Sequence, residues 1–256
     1  MGGQPEVLST LSKQRLDTVL VDRGLAPSRE RARALILAGH VTVDGQVVSK
    51  AGAAIADAAR VELSTPDHPY VGRGGLKLAG ALDAFSIDPR GRRALDVGAS
   101  TGGFTDVLLQ RGAESVIALD VGRAQLDWRL RTDPRVIVRE GVNARALTAD
   151  AVPHLVSLVT IDVSFISLKH ILPPLPPFLD PHADVVALVK PQFEAGREEV
   201  GKHGIVSDPR IHEAVIARVT EYAAASGLTR FAMTASSITG ATGNREFFLH
   251  LRWLPA

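Results

Sequence analysis

Four charged residues stand at or near apolar strands, two of them where such strands would end. Lys190 closes "VVALVKPQFE", Asp162 closes "LVTIDVSFISL", Glu246 heads "GNREFFLHL", and Lys77 lies on the helical stretch ahead of the first such strand. Taken singly, a lysine at a strand end is a solvated charge and an aspartate is a cap. Taken together, apolar strands would carry Asp162 and Lys190 to one edge of a sheet, the edge where such sheets bind ligands. A lysine there has a use. A ribose hydroxyl is a poor nucleophile at neutral pH, and activating it takes a base or a charge-assisted hydrogen bond. A neighbouring cation favours the neutral amine, whereas carboxylates orient the ammonium and favour charge.

The stretch "ALDVGASTGGF", Ala94 to Phe104, breaks an apolar run into a glycine-rich turn. A P-loop needs Lys-Ser or Lys-Thr after its last glycine, and here Phe104 follows Gly103. The dinucleotide fingerprint needs a second glycine where Ser100 stands. The turn through Gly98, Ala99, Ser100, Thr101, Gly102 and Gly103 still presents backbone N–H groups at a helix start, which favours a carboxylate. We expect Gly102 and Gly103 to let a guest approach closely. Asp120 ends the next strand, "SVIALDV", where a carboxylate can accept from both hydroxyls of a ribose. A ribose plus a carboxylate, with no phosphate, describes S-adenosylmethionine. Asn143, in "EGVNARAL", is a candidate for the adenine side, with a plain turn residue as the competing reading.

The elements that must position these residues alternate. "ALDVGA", "SVIALDV", "VIVREG", "LVTIDV", "VVALVK", "FAMTASSI" and "EFFLHLRW" read as strands. "LKLAGALDAF", "FTDVLLQRG", "AQLDWRLRT" and "DPRIHEAVIARVTEYAAASG" read as helices, and "SLKHILPPLPPFL" as a short or irregular one. This order predicts an α/β fold with a mostly parallel, Rossmann-like sheet covered on both faces.

The N-terminal part differs. "QRLDTVLVDRGLAPSRERARALILAGHVTVDGQVV" opens with an amphipathic helix carrying Leu16, Val19 and Leu20, ended by Gly24. Ser28 is a suitable N-cap for a second helix with Leu35, Ile36 and Leu37 as apolar positions. An Asp-Gly turn between apolar stretches then signals a hairpin, and "ARVEL" offers another strand. Arg29, Arg31, Arg33 and His40 cluster on this small α+β unit; a charge run by itself is most simply a solvated face. "STPDHPYVGRGG" reads as a linker.

The whole chain has 256 residues, 45% hydrophobic, and a net charge of +1, so any basic surface is local. With no cysteine it has no disulfide framework, thiolate nucleophile or thiolate metal site. No leader pattern and no long apolar run is present, which predicts a soluble cytoplasmic protein.

Two resemblances sharpen this reading. Residues 15–48 resemble the small RNA-binding domain named after ribosomal protein S4, which implies that Arg29, Arg31, Arg33 and His40 contact RNA. "GRGGLKL", "DVGASTGGF", "IDVSFISL", "LVKPQFE" and "GNREFF" resemble the TlyA, or hemolysin A, family of ribosomal RNA 2′-O-methyltransferases, whose catalytic domain is FtsJ-like. That resemblance implies residues 13–62 as the RNA-binding domain, 63–75 as linker and 76–256 as the methyltransferase domain. It implies S-adenosylmethionine as cofactor, held by Gly98 to Phe104, Asp120 and Asn143, and ribosomal RNA or a ribosomal subunit as partner, with no metal and no membrane. It assigns Lys77, Asp162, Lys190 and Glu246 as the catalytic set. Lys190 would activate the 2′-hydroxyl, Asp162 and Lys77 would position it, and Glu246 would hold a lysine. Ending at "LRWLPA", the chain lacks a tail that in this family accompanies methylation of both subunits' RNA, which points to a cytidine of 23S RNA, with 16S RNA as a second target. The same RNA-binding module precedes pseudouridine synthases, but "DVGASTGG" speaks against that chemistry. A small-molecule methyltransferase leaves the module unexplained. A pore-forming lytic protein and a methyltransferase acting on another RNA are the remaining alternatives.

Overall fold

The computed structural model describes residues 13–37, 39–63 and 68–255. Residues 1–12, 38, 256 and the linker residues 64–67 lie outside the described residues. Contacts divide the chain into Met1–Pro69 and Tyr70–Ala256.

In the first unit, β1 (Lys13–Arg15), α1 (Leu16–Asp22), α2 (Arg29–Leu37), β2 (Val41–Val43), β3 (Gln46–Val47), β4 (Ala54–Ala56) and β5 (Val61–Leu63) follow in order. Strands β1 and β4 pair, and β3-β2-β5 form an antiparallel sheet. The β2–β3 turn carries Asp44 at φ 51° and Gly45 at φ 80°, the left-handed pair that such hairpins require. Ser28 caps α2 by accepting from Arg31 N at 3.2 Å. Leu16, Leu20, Leu35, Ile36, Val41 and Val61 are buried together. Leu37 departs from expectation: it is 71% exposed. Three consecutive residues cannot share one helix face, and Ala32 takes the inward place instead.

The second unit begins earlier than the helical spacing suggested. Helix α3 spans Gly74–Phe85, so Gly74 and Gly75 are its first turn and not linker. Then come β6 (Arg93–Val97), α4 (Gly103–Gln110), β7 (Ser115–Asp120), α5 (Trp128–Arg131), β8 (Val136–Glu140), β9 (Val156–Ile161), β10 (Leu179–Val189), α6 (Pro191–Glu194), α7 (Pro209–Ala225), β11 (Leu228–Ala235) and β12 (Phe247–Trp253). The proline-rich stretch gives only two 3-10 turns, Leu168–His170 and Pro176–Phe178. The helix expected over "AQLDWRLRT" shrinks to one turn, because Ala124 adopts φ 56° and Asp127 caps at Arg129 N.

One seven-stranded sheet runs β11-β12-β10-β9-β6-β7-β8. The five strands from β10 to β8 are parallel, and β12 is antiparallel to both neighbours. Side chains alternate across it. Leu95, Val97, Ile117 and Leu119 enter one core with α7, while Ala94, Val116 and Ala118 enter the other with α3 and α4. Burial on both faces explains why these strands read as apolar runs with little alternation. The carboxyl ends of β6 to β10 therefore lie along one edge.

Candidate active site

At that edge Asp162 and Lys190 follow directly on β9 and β10. The Lys190 Nζ lies 2.6 Å from Asp162 Oδ1, as an ion pair off the hydrogen-bond axis, and donates to Ser164 Oγ at 2.8 Å. Lys77, on α3, donates to Glu246 Oε2 at 2.5 Å, with both side chains buried. Glu246 is brought in by the loop before β12, where its carbonyl accepts from Ser236 N. A cavity of about 260 Å³ has Lys77, Asp162, Lys190 and the glycine turn on its walls. A second, of about 410 Å³, joins Lys77, Lys190 and Glu246 to Gln192, Phe193 and His203. The four sequence-selected residues thus form two ion pairs facing shared space.

The glycine turn is set by its neighbours. Gly98, at φ 87°, places its missing Cβ against the Asp162 backbone carbonyl, so only glycine lets β6 and β9 end this close. Gly102 and Gly103 correct an expectation. Their missing side chains make room for protein: Leu126 and Leu130 at Gly102, and the backbone of Gly72 and Gly75 at Gly103. Phe104 packs into the core behind the turn and also lines the smaller cavity. Asp96 is the turn's anchor, accepting from Thr105 Oγ1 at 2.7 Å and Thr160 Oγ1 at 3.0 Å. Burial pushes its carboxyl up to about 7, against the pull of those two hydroxyls.

Asp120 accepts from Ser100 N at 2.8 Å and Gly122 N at 2.7 Å. It stands with Gly98, Ser100 and Asn143 on a cavity of about 520 Å³. Each carboxylate oxygen retains a further acceptor site, so Asp120 can hold the loop and a ribose together. Asn143 Oδ1 accepts from Arg145 N at 3.0 Å, as a turn residue does, and its side chain stands on the wall of that cavity. The stretch from Val71 to Gly74 also belongs here. Val71 N donates to Asp106 Oδ2 at 2.8 Å, and Gly72, Arg73 and Gly74 line the smaller cavity.

In the first unit, Asp17 gathers arginines. Arg15 reaches it at 2.8 Å, Arg29 at 3.3 Å and Arg33 at 3.8 Å. The Asp17 carboxylate is fully covered while the three arginines stay half exposed. Hydrogen bonding from Arg15 holds its pKa down at about 2. Arg31 is half-buried and His40 exposed on the same unit. Sequence reading missed Arg15 and Asp17, although an acid in the first turn beside "QR" was a visible signal. It also missed Ser164, whose role depends on a neighbouring strand. Among the described residues, no helix is long and apolar enough to cross a membrane, and no group of three or more His, Cys, Asp or Glu could hold a metal.

Residues 70–253 match the FtsJ-like methyltransferase family, and residues 14–56 match the S4 domain. The chain is 48% identical over 241 residues to the 16S/23S rRNA (cytidine-2′-O)-methyltransferase TlyA of Mycobacterium tuberculosis, covering 94% of this chain and 90% of that one. It is 40% identical over 240 residues to hemolysin A of Brachyspira hyodysenteriae, covering 92% and 98%. A solved hemolysin-family structure from Streptococcus thermophilus superposes with TM-score 0.75 at 44% identity, over 96% of this chain and 90% of that one.

Proposed function

The chain belongs to the TlyA family of ribosomal RNA methyltransferases, with an S4 domain and an FtsJ-like catalytic domain, and from that premise we infer that it methylates the 2′-hydroxyl of a cytidine in ribosomal RNA. S-adenosylmethionine is its cofactor. The arrangement that carries the reading is the Lys190–Asp162 ion pair, set beside the glycine turn and within reach of the buried Lys77–Glu246 pair.

The cavities fit such a donor. Asp120 offers a carboxylate for a ribose, the turn offers backbone, and no Lys-Ser or Lys-Thr pair for phosphates stands in the turn. When bound, the donor supplies an electrophilic methyl group on a sulfonium. This chain's share is then to hold the 2′-hydroxyl in line and to manage its proton. Lys190 is the group assigned to the 2′-oxygen. Asp162 fixes the Lys190 ammonium, and Lys77, held by Glu246, adds positive potential beside it. Gly98 to Thr101, Gly103, Phe104, Asp120 and Asn143 form the donor's walls, with Gly102 seated on Leu126 and Leu130 behind them. In this reading residues 13–62 are the RNA-binding module, and Arg29, Arg31, Arg33 and His40 contact phosphates. Asp17 leaves Arg29 and Arg33 half exposed, which suits backbone contact.

The test is direct. Purified protein is incubated with ribosomal subunits and labelled donor, and methylated nucleotides are mapped. Transfer to a cytidine 2′-oxygen, in 23S RNA first and 16S RNA second, is the expected result. Label on a base, or in no ribosomal RNA, would reject the assignment.

A further inference from the structure

We propose that Ser164 is a positioning residue for the reaction, fixing the Lys190 ammonium between the donor and acceptor sides of the site; the proposal rests on the methyl-transfer reading above. Strands β9 and β10 run parallel with Ala187 opposite Ile161. Past that last pair, Asp162 to Ser164 follow on the loop after β9 and Lys190 follows β10, so both chains leave the sheet side by side. Asp162 and Ser164 both reach Lys190.

The two partners act differently. The Asp162 carboxylate attracts the ammonium by charge. The Ser164 hydroxyl accepts one hydrogen bond, so it fixes direction without adding a second negative charge that would strengthen Lys190's hold on its proton. An ammonium has three donors. Ser164 takes one of them while Asp162 draws the group by charge, which narrows where the ammonium sits. The backbone is turned for this: Phe165, directly after Ser164, holds φ 63°, a conformation that a bulky residue seldom adopts.

Location makes the case specific. Ser164 lines the cavity of Asp120, the cavity of the glycine turn and Lys77, and the outer cavity of Glu246. Asp162 lines the first two, and Lys190 the last two. Among the described residues Ser164 alone lies on all three, where donor and acceptor must meet.

Without the hydroxyl, Lys190 keeps one strong partner and can swing toward Asp162. Misplacing a reacting group in this way costs on the order of 10–100-fold in rate. Ser164 is exposed, so Ser164→Ala is expected to fold as wild type does. The experiment compares wild type, Ser164→Ala and Ser164→Thr in single-turnover transfer to ribosomal subunits, with donor and RNA affinities measured separately. Slow transfer by Ser164→Ala at unchanged affinities, with Ser164→Thr restored to within a few-fold, supports the proposal. Normal transfer by Ser164→Ala overturns it. So does a fall in donor affinity that matches the loss of rate, because Ser164 would then be only a wall of the donor cavity. An NMR spectrum of the lysine ammonium groups, with Lys190 assigned by Lys190→Arg, gives a readout independent of the RNA chosen. The Lys190 signal should lose its exchange protection in Ser164→Ala and regain it in Ser164→Thr. An unmoved signal refutes the contact, whereas inactive wild type with a moved signal points the fault at the methyl-transfer reading.

Discussion

Lys77 and Glu246 are 169 residues apart in the chain and meet at 2.5 Å, with side chains 9% and 3% exposed. The contact ties α3, ahead of the parallel sheet, to the loop before its antiparallel strand. Removing one partner strands a buried charge, which costs about 3–5 kcal/mol. Glu246→Ala should therefore both lower the melting temperature and stop transfer. The double variant Lys77→Met with Glu246→Leu should recover much of the stability while staying inactive. A double variant as unstable as the single one would show that stranded charge is not the cause.

Lys190→Ala should leave donor affinity within a few-fold and lower single-turnover transfer by roughly 10²–10⁴-fold, the usual contribution of a general acid or base. Lys190→Arg should fail as well, since a planar guanidinium has another shape and does not give up its proton. Near-normal transfer by Lys190→Ala would shift the central role to Lys77.

Asp120→Ala should weaken donor binding by roughly 1.5–3 kcal/mol, the range for hydrogen bonds to a charged group. Asp120 also holds Ser100 N and Gly122 N, so part of this loss comes from a loosened turn. Asp120→Asn keeps one acceptor oxygen and should lose less. Calorimetry showing equal affinity for all three proteins would take Asp120 out of the site.

Acid should act on the RNA-binding module through Asp17. Its carboxyl sits at about 2, below the ordinary 3.8. A depressed carboxylate stabilises the fold above its unfolded pKa, and that contribution fades as pH falls through the folded one. Wild type should thus exceed Asp17→Asn in stability above pH about 4, with the gap closing toward pH about 2. Both tryptophans, Trp128 and Trp253, lie in the other unit, so amide hydrogen exchange in α1 is the proper probe. A gap that does not narrow would mean the arginines do not favour the charged form of Asp17.

Much of this was legible in the sequence, because the signals were local or periodic. Apolar runs fixed the parallel strands, since a strand buried on both faces has no alternative composition. Asp44-Gly45 dictated its hairpin, and Asp120, Asp162 and Lys190 were marked by standing where apolar runs stop. The resemblance added Lys77 and Glu246 to one set, which spacing alone could not do. Tertiary structure decided what depends on distant neighbours. Gly102 is a glycine because Leu126 and Leu130 pack against it. Leu37 faces outward because Ala32, Leu35 and Ile36 already fill the inward face. Asp96 is an anchor because Thr105 and Thr160 converge on it from a helix and a neighbouring strand. Ser164 looks like any loop serine until β9 and β10 end side by side and its hydroxyl meets Lys190, since a contact between two chain segments depends on a pairing that neither encodes alone.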